Sequence, residues 1–284
     1  MPAHPYYFAY GSNLNRADLI RYCNKRGFSP DALRAERPAW LLDHRPVYHY
    51  RSPRRGGGAL DVLPKTGHLT PGVLFVVESE GWDLLDLKEG APHRYARQRV
   101  FAVDMSGSLF EAVTYRVTSG HRQPNHVPPR AGYTALVEEG LREHGLPLEQ
   151  HEQAVHGAQP VPMVRHLFVD GLLPSSDALG ASLVGVRTRC PARTRGCWLR
   201  LGGYLAWQPP LDDNDWIQGR LIRMEDPEAA LAEIDRLVGW SGNLLSSPSA
   251  RVVVEAIDPG GEAVLAWCYR ASPVIGGSID ASAD

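Results

Sequence analysis

The chain has 284 residues, 43% of them hydrophobic and 22% charged, with a formal net charge of -2. That length accommodates about two domains, each able to bury its own core, in a soluble globular protein. The near-neutral balance lacks the clustered positive charge that nucleic acid or an anionic membrane selects, so neither is expected as a partner.

In chain order, the first residues, MPAHPYYFAYGS, lack a basic stretch followed by an apolar core, so they do not read as a secretory signal. No later segment reaches the apolar length of a bilayer span, and the expected location is cytoplasmic. Residues 6–19, YYFAYGSNLNRADL, begin as an aromatic and apolar run fitted for a buried strand and stop at Gly11-Ser12-Asn13. Gly11 allows backbone angles closed to other residues, and Ser12 and Asn13 readily bond nearby backbone, which predicts a tight polar loop. Short β-like runs follow, then a helix-like stretch before the Asp86 segment and two further strands. A helix is expected from about Tyr133 to His144, stopped by Gly145. The stretch HEQAVHGAQPVPMVR, 151–165, reads as a linker, and ASPVIGGSIDASAD at the end as a disordered tail.

The chain contains one unit twice. YYFAYGSNLN is matched by HLFVDGLLPS at 166–175, with Gly11 against Gly171. GGGALDVLP (56–64) matches LGGYLAWQP (201–209), and GVLFVV…LLDLKEG (72–90) matches GRLIRM…LAEIDRLVG (219–239). SGSLFEAVTYR matches PGGEAVLAWCYR, aligning Gly107 with Gly261 and Tyr115 with Tyr269 at equal spacing. The expected division is a first domain at 1–152, a linker at 153–164, a second domain at 165–271 and a tail at 272–284.

Arginine nearly replaces lysine, with Lys25, Lys65 and Lys88 the only lysines. The arginines alternate with acids and apolar residues, so this reads as genome-composition bias and not phosphate recognition. Cys23, Cys190, Cys197 and Cys268 form no Cys-x-x-Cys pair and read as reduced thiols, with a Cys190–Cys197 disulfide across CPARTRGC left open. None of the eleven histidines has His-x-x-x-His spacing within a His-Glu motif, so no metal is expected.

FAYGSNL, GGGALDVLP, LLDLKEG, the following Tyr95-x-Arg97 and YTALVEEGLREHGLPLE, in that order, resemble the gamma-glutamylcyclotransferases (AIG2-like superfamily) over residues 7–149. The second unit resembles the same superfamily in framework alone. The resemblance implies an α+β fold, each unit a small mixed β-barrel with flanking helices. It also implies an enzyme that closes the γ-glutamyl group of an amide on itself, releasing 5-oxoproline and a free amine without a cofactor. Held in one molecule, the two reacting groups gain up to about 7 to 11 kcal/mol from orientation. Glu89 matches the family's proton-transferring acid. Tyr10, Gly11, Ser12, Asn13 and Leu14 match its substrate loop, whose backbone amides form an anion-binding nest, and Tyr95 and Tyr133 fall at positions near the site. In this reading Ser12 and Asn13 fix the turn by local hydrogen bonds.

In the second unit Asp170, Leu172 and Leu173 stand at the places of Tyr10, Ser12 and Asn13, Val238 at that of Glu89, and Ser249 at that of Tyr95. Valine cannot move a proton, so this unit is expected to be degenerate and catalytically silent. A serine hydrolase is disfavoured because Gly11-Ser12-Asn13 lacks the Gly-x-Ser-x-Gly elbow, and a phosphate loop because no Gly-Lys-Ser/Thr follows. The alternative is a non-catalytic binding or scaffolding protein built from two copies of the fold. The expected partner is a small γ-glutamyl amide, with the chain a monomer or homodimer; the leaving amine is left open among amino acid, polyamine, glutathione and natural-product precursor.

Overall fold

The computed structural model describes residues 6–78, 80–159, 161–169, 186–201, 204–242 and 246–272. Contacts divide the chain into two units, Met1–Asp104 with Leu109–Met163, and Met105–Ser108 with Val164–Asp284. Each contains a closed five-stranded barrel of mixed strands with flanking helix, and the fold is α+β.

The first unit runs β1 (Tyr6–Ala9), α1 (Arg16–Arg26), β2 (Leu33–Ser52), β3 (Gly57–Val77), α2 (Gly81–Glu89), β4 (Tyr95–Val103), β5 (Leu109–Val117), α3 (Ala131–Glu143) and α4 (Glu149–Val155). Strand order is β1-β3-β2-β4-β5, and a parallel pairing of β1 with β5, Tyr6 opposite Ala112 and Tyr7 opposite Val113, closes the barrel. β1 is aromatic or apolar throughout, and its last three positions are buried, Phe8 and Ala9 fully so. Where short strands were expected, β2 and β3 form one long hairpin, bent by register shifts at Ala35/Arg37, Leu42/His44 and Tyr48/Tyr50. Such bulges turn a strand without ending it, so one strand serves both the barrel and the projecting ribbon.

The second unit repeats the plan with β6 (His166–Val169), β7 (Val186–Arg195), β8 (Cys197–Leu201), β9 (Tyr204–Gln208), β10 (Trp216–Met224), α5 (Pro227–Val238), β11 (Ser249–Ile257) and β12 (Ala263–Ala271). Its barrel order, β10-β6-β12-β11-β7 with β6 parallel to β12, is that of the first unit strand for strand. The ribbon is here a separate two-stranded sheet, β8 with β9. Equivalence extends to single residues. A Cβ on Gly72 would collide with the Ala9 carbonyl and the Phe8 ring, and one on Gly219 with the Val169 carbonyl and the Phe168 ring. Each unit therefore seats a phenylalanine of its first strand against a bare backbone.

A Tyr–Asp–Arg lock is also duplicated. Tyr115 Oη donates to Asp86 Oδ1 at 2.6 Å, and Arg97 pairs with Asp86 at 2.8 Å. Tyr269 Oη donates to Asp235 Oδ1 at 2.6 Å, and Arg251 pairs with Asp235 at 3.1 Å. The two aspartates lie within α2 and α5, so each lock ties a helix to the two strands that follow it.

α3 begins at Ala131, slightly before the expected start, and the chain passes Gly145 in the left-handed region at φ 65°. α4 was not foreseen and reaches Val155, into the stretch read as linker. There Gln150 Nε2 donates to the Val161 carbonyl and Val161 N to Gln153 Oε1, both at 2.9 Å. All four cysteines, Cys190 and Cys197 among them, are free thiols in the structure. Among the described residues no helix is long and apolar enough to cross a membrane, and no group of three or more His, Cys, Asp or Glu could hold a metal ion. Most of the expected tail, residues 273–284, lies outside the described residues.

Candidate active site

The strand read from residues 6–9 ends at a short 3-10 turn, Ser12–Leu14, opening a cavity of about 30 Å³. Tyr10, Gly11, Ser12 and Asn13 line it together with Glu89, Tyr95 and Tyr133. Seven of the eight residues singled out in the sequence thus meet around one space, drawn from the β1 loop, the end of α2, the start of β4 and the first turn of α3. Leu14 is the exception: it is buried beneath α3, where Gly140 leaves room because a Cβ there would lie 2.6 Å from that of Leu14. Leu14 seats the loop and does not line the cavity.

The loop differs from expectation in two respects. Gly11 has φ -117°, outside the left-handed region, so the turn does not rest on backbone angles reserved for glycine. A Cβ at this position would stand 3.7 Å from Tyr133 Oη, in the cavity wall. Nor do Ser12 and Asn13 secure the turn locally. Ser12 Oγ accepts from Arg55 Nη2 at 2.9 Å, while Asn13 Nδ2 donates to Tyr7 Oη at 2.7 Å and to Glu89 Oε1 at 2.9 Å. The turn is closed by backbone bonds, Leu14 N to the Gly11 carbonyl and Asn15 N to that of Ser12, and Asn15 caps α1 by accepting from Asp18 N. The two polar side chains are thereby free to face the site.

Glu89 is the last residue of α2, and Gly90 ends the helix in the left-handed region at φ 69°. Burial raises the Glu89 carboxyl above its ordinary value; Lys88, the Asn13 bond and Arg54 and Arg55 pull it partly back. Desolvation dominates, leaving a carboxyl poised to take up and return a proton. Asn13 Oδ1 is buried and accepts no hydrogen bond among the described residues. Burial holds the cavity tyrosines Tyr7, Tyr10, Tyr95 and Tyr133 in their protonated forms.

Tyr10 and Tyr95 also hold the frame: Tyr10 Oη donates to the Tyr115 carbonyl at 2.6 Å and Tyr95 Oη to the Leu60 carbonyl at 2.9 Å. Tyr133 Oη accepts from Leu60 N at 3.3 Å. Three lining residues were not foreseen: Tyr7, Leu60 and Tyr115. Tyr7 lay in the strand read as core, and alternation along the strand does not reveal that its hydroxyl reaches Asn13. Equally unforeseen is a second opening of about 40 Å³, which shares Ser12, Glu89, Tyr95 and Tyr133 with the first and adds Arg54, Arg55, Lys88 and Arg94. Arginines attributed to genome bias thus include a cluster at the site.

In the second unit α5 ends at Val238, followed by Gly239 at φ 75°, so Val238 stands where α2 carries Glu89. β11 begins at Ser249 as β4 begins at Tyr95. The counterparts of the loop, Asp170, Leu172 and Leu173, lie outside the described residues.

Residues 7–135 match the model of a family described as gamma-glutamyl cyclotransferase, AIG2-like. No curated protein matches the chain. Among solved structures, a gamma-glutamyl cyclotransferase is 23% identical with a TM-score of 0.46, over 55% of this chain and 89% of its own. An uncharacterized protein from Homo sapiens, loc79017, is likewise 23% identical at a TM-score of 0.46, over 55% of this chain and 88% of its own. YkqA from Bacillus subtilis is 23% identical at 0.44, over 56% of this chain and 55% of its own.

Proposed function

We propose that this chain, whose residues 7–135 match the model of the gamma-glutamyl cyclotransferase, AIG2-like family, converts a γ-glutamyl amide into 5-oxoproline and a free amine. The observation that carries the reading is the bond between Asn13 and Glu89 inside the cavity, which joins the loop to a carboxyl raised by burial.

The substrate brings its own nucleophile. Its α-ammonium gives a proton to Glu89, and the freed nitrogen attacks the γ-carbonyl carbon, forming the new C–N bond of the lactam. The attacking nitrogen, cationic once the bond has formed, gives up a second proton as the tetrahedral intermediate collapses; the bond to the leaving nitrogen breaks and that nitrogen takes up both protons, relayed in turn by Glu89, to depart as an ammonium, so no proton is gained or lost. Asn13 Oδ1, an acceptor with no donor among the described residues, suits the ammonium, and Asn13 Nδ2 fixes Glu89 Oε1. Polar groups of the Gly11–Asn13 turn face the carbonyl oxygen as it becomes an anion. No cofactor has a part in these steps. The second unit, with Val238 in place of Glu89, is catalytically silent in this reading.

The test is to incubate the full chain with a panel of γ-glutamyl amides and follow 5-oxoproline by mass spectrometry. Binding of these amides without product from any of them would support the non-catalytic alternative.

A further inference from the structure

The second opening is strongly cationic. Four positive side chains, Arg54, Arg55, Lys88 and Arg94, line it against one acid, Glu89. Asp18, behind the wall, offsets part of this charge: Lys88 Nζ lies 3.4 Å and Arg55 Nη2 3.5 Å from Asp18 Oδ2. The arrangement is built into the fold. Arg54 Nη2 donates to the Lys88 carbonyl at 3.0 Å, Arg55 stacks 4.9 Å over the Tyr133 ring while holding Ser12, and Lys88 is 4% exposed. Arg94 is exposed at the mouth and makes no ion pair among the described residues.

Burying an ammonium such as that of Lys88 is costly unless a negative charge comes close, and burial does pull it below its ordinary pKa. Asp18 is shared among three cations, Arg21, Arg55 and Lys88, so the opening keeps an excess of positive charge beside the carboxyl that handles the proton. A cavity walled in this way concentrates anions and repels cations.

We propose that Arg54, Arg55, Lys88 and Arg94 form an anion subsite for the leaving half of the substrate, so that the released amine carries an acidic group such as a carboxylate or phosphate. This rests on the reading of the preceding subsection. It disfavours polyamines, whose distal ammonium would enter a space already positive, and it makes Arg94 a specificity-determining residue. The substrate's own α-carboxylate is the other possible source of the anion, and it is common to all γ-glutamyl donors.

The two sources separate when the leaving group is varied on a fixed donor. With wild-type protein, kcat/KM is measured for γ-glutamyl-glutamate, γ-glutamyl-alanine, γ-glutamyl-methylamide and γ-glutamyl-putrescine, and the ranking should follow that order. The acidic-to-neutral ratio should be on the order of tenfold, and it should shrink as salt is raised through about 0.5 M. Arg94→Glu should reduce that ratio at least about fivefold. Equal values across the four amides, or a ratio untouched by Arg94→Glu, would overturn the subsite and leave the α-carboxylate as the anion. If no amide yields 5-oxoproline, the catalytic reading fails by itself. The subsite is then judged by calorimetric Kd values for the same four compounds, and a flat ranking there overturns it too.

Discussion

Asn13 Nδ2 lies 2.9 Å from Glu89 Oε1, joining the turn after the first strand to the last residue of a helix that begins nearly seventy residues later. The same nitrogen donates to Tyr7 Oη at 2.7 Å. Replacing Asn13 by Ala leaves both oxygens without this donor. The expected loss in kcat is on the order of tenfold or more, because Glu89 is no longer held in place. The bond also lowers the Glu89 pKa, so its removal should move the acidic limb of the pH–rate profile upward. An unshifted limb would separate Asn13 from the proton-transfer step.

The duplicated locks give a matched pair. Tyr115→Phe and Tyr269→Phe each remove one donor to an aspartate at 2.6 Å, and each should cost about 1.5 to 3 kcal/mol in its own unit. Tyr115 also lines the cavity and its carbonyl anchors Tyr10, so Tyr115→Phe should lower 5-oxoproline formation. Tyr269→Phe should leave it unchanged. Denaturation curves and product assays on both variants check this, and equal losses of activity would show that the second unit has a part in catalysis.

Much of this was legible in the residues and some was not. Gly72 and Gly219, Asp86 and Asp235, and Tyr115 and Tyr269 fall at matching places because each pair meets the same local constraint, a close backbone approach or a lock between helix and strand. The assembly of Tyr10, Gly11, Ser12, Asn13, Glu89, Tyr95 and Tyr133 was likewise readable through the family resemblance. What escaped depends on distances that cross the barrel. Nothing local to Tyr7 shows its hydroxyl meeting Asn13, and Arg54 and Arg55 gain meaning when their turn is folded over Glu89. α4 was hidden by the proline and glycine on its C-terminal side, since its anchors, Gln150 and His151, bond to partners outside the helix.

His151 predicts an acid-sensitive step in stability. It is buried, shares a 2.7 Å hydrogen bond with Tyr48 Oη, and burial lowers its pKa to about 4 from 6.5. The unfolded chain therefore binds a proton more readily than the folded one between those values. The stabilisation is present in full above about pH 6.5 and is lost as pH falls towards 4, on the order of 3 kcal/mol in all. Urea midpoints measured from pH 7 to pH 4 should fall less steeply in His151→Gln than in the wild type. Parallel curves would show that another group governs the acid transition.

The central claim is that Glu89 carries the proton between the two nitrogens of the substrate. Glu89→Gln keeps the length of the side chain and an acceptor for Asn13, and it removes a carboxyl that burial disfavours in its charged form, so the variant should fold at least as stably near pH 7. The most direct measurement is the rate of 5-oxoproline release from an acidic γ-glutamyl amide by wild type and by Glu89→Gln, with thermal unfolding recorded on the same samples. The expected result is product from the wild type and a loss of at least about a hundredfold in the folded variant. Undiminished release by Glu89→Gln would contradict the account.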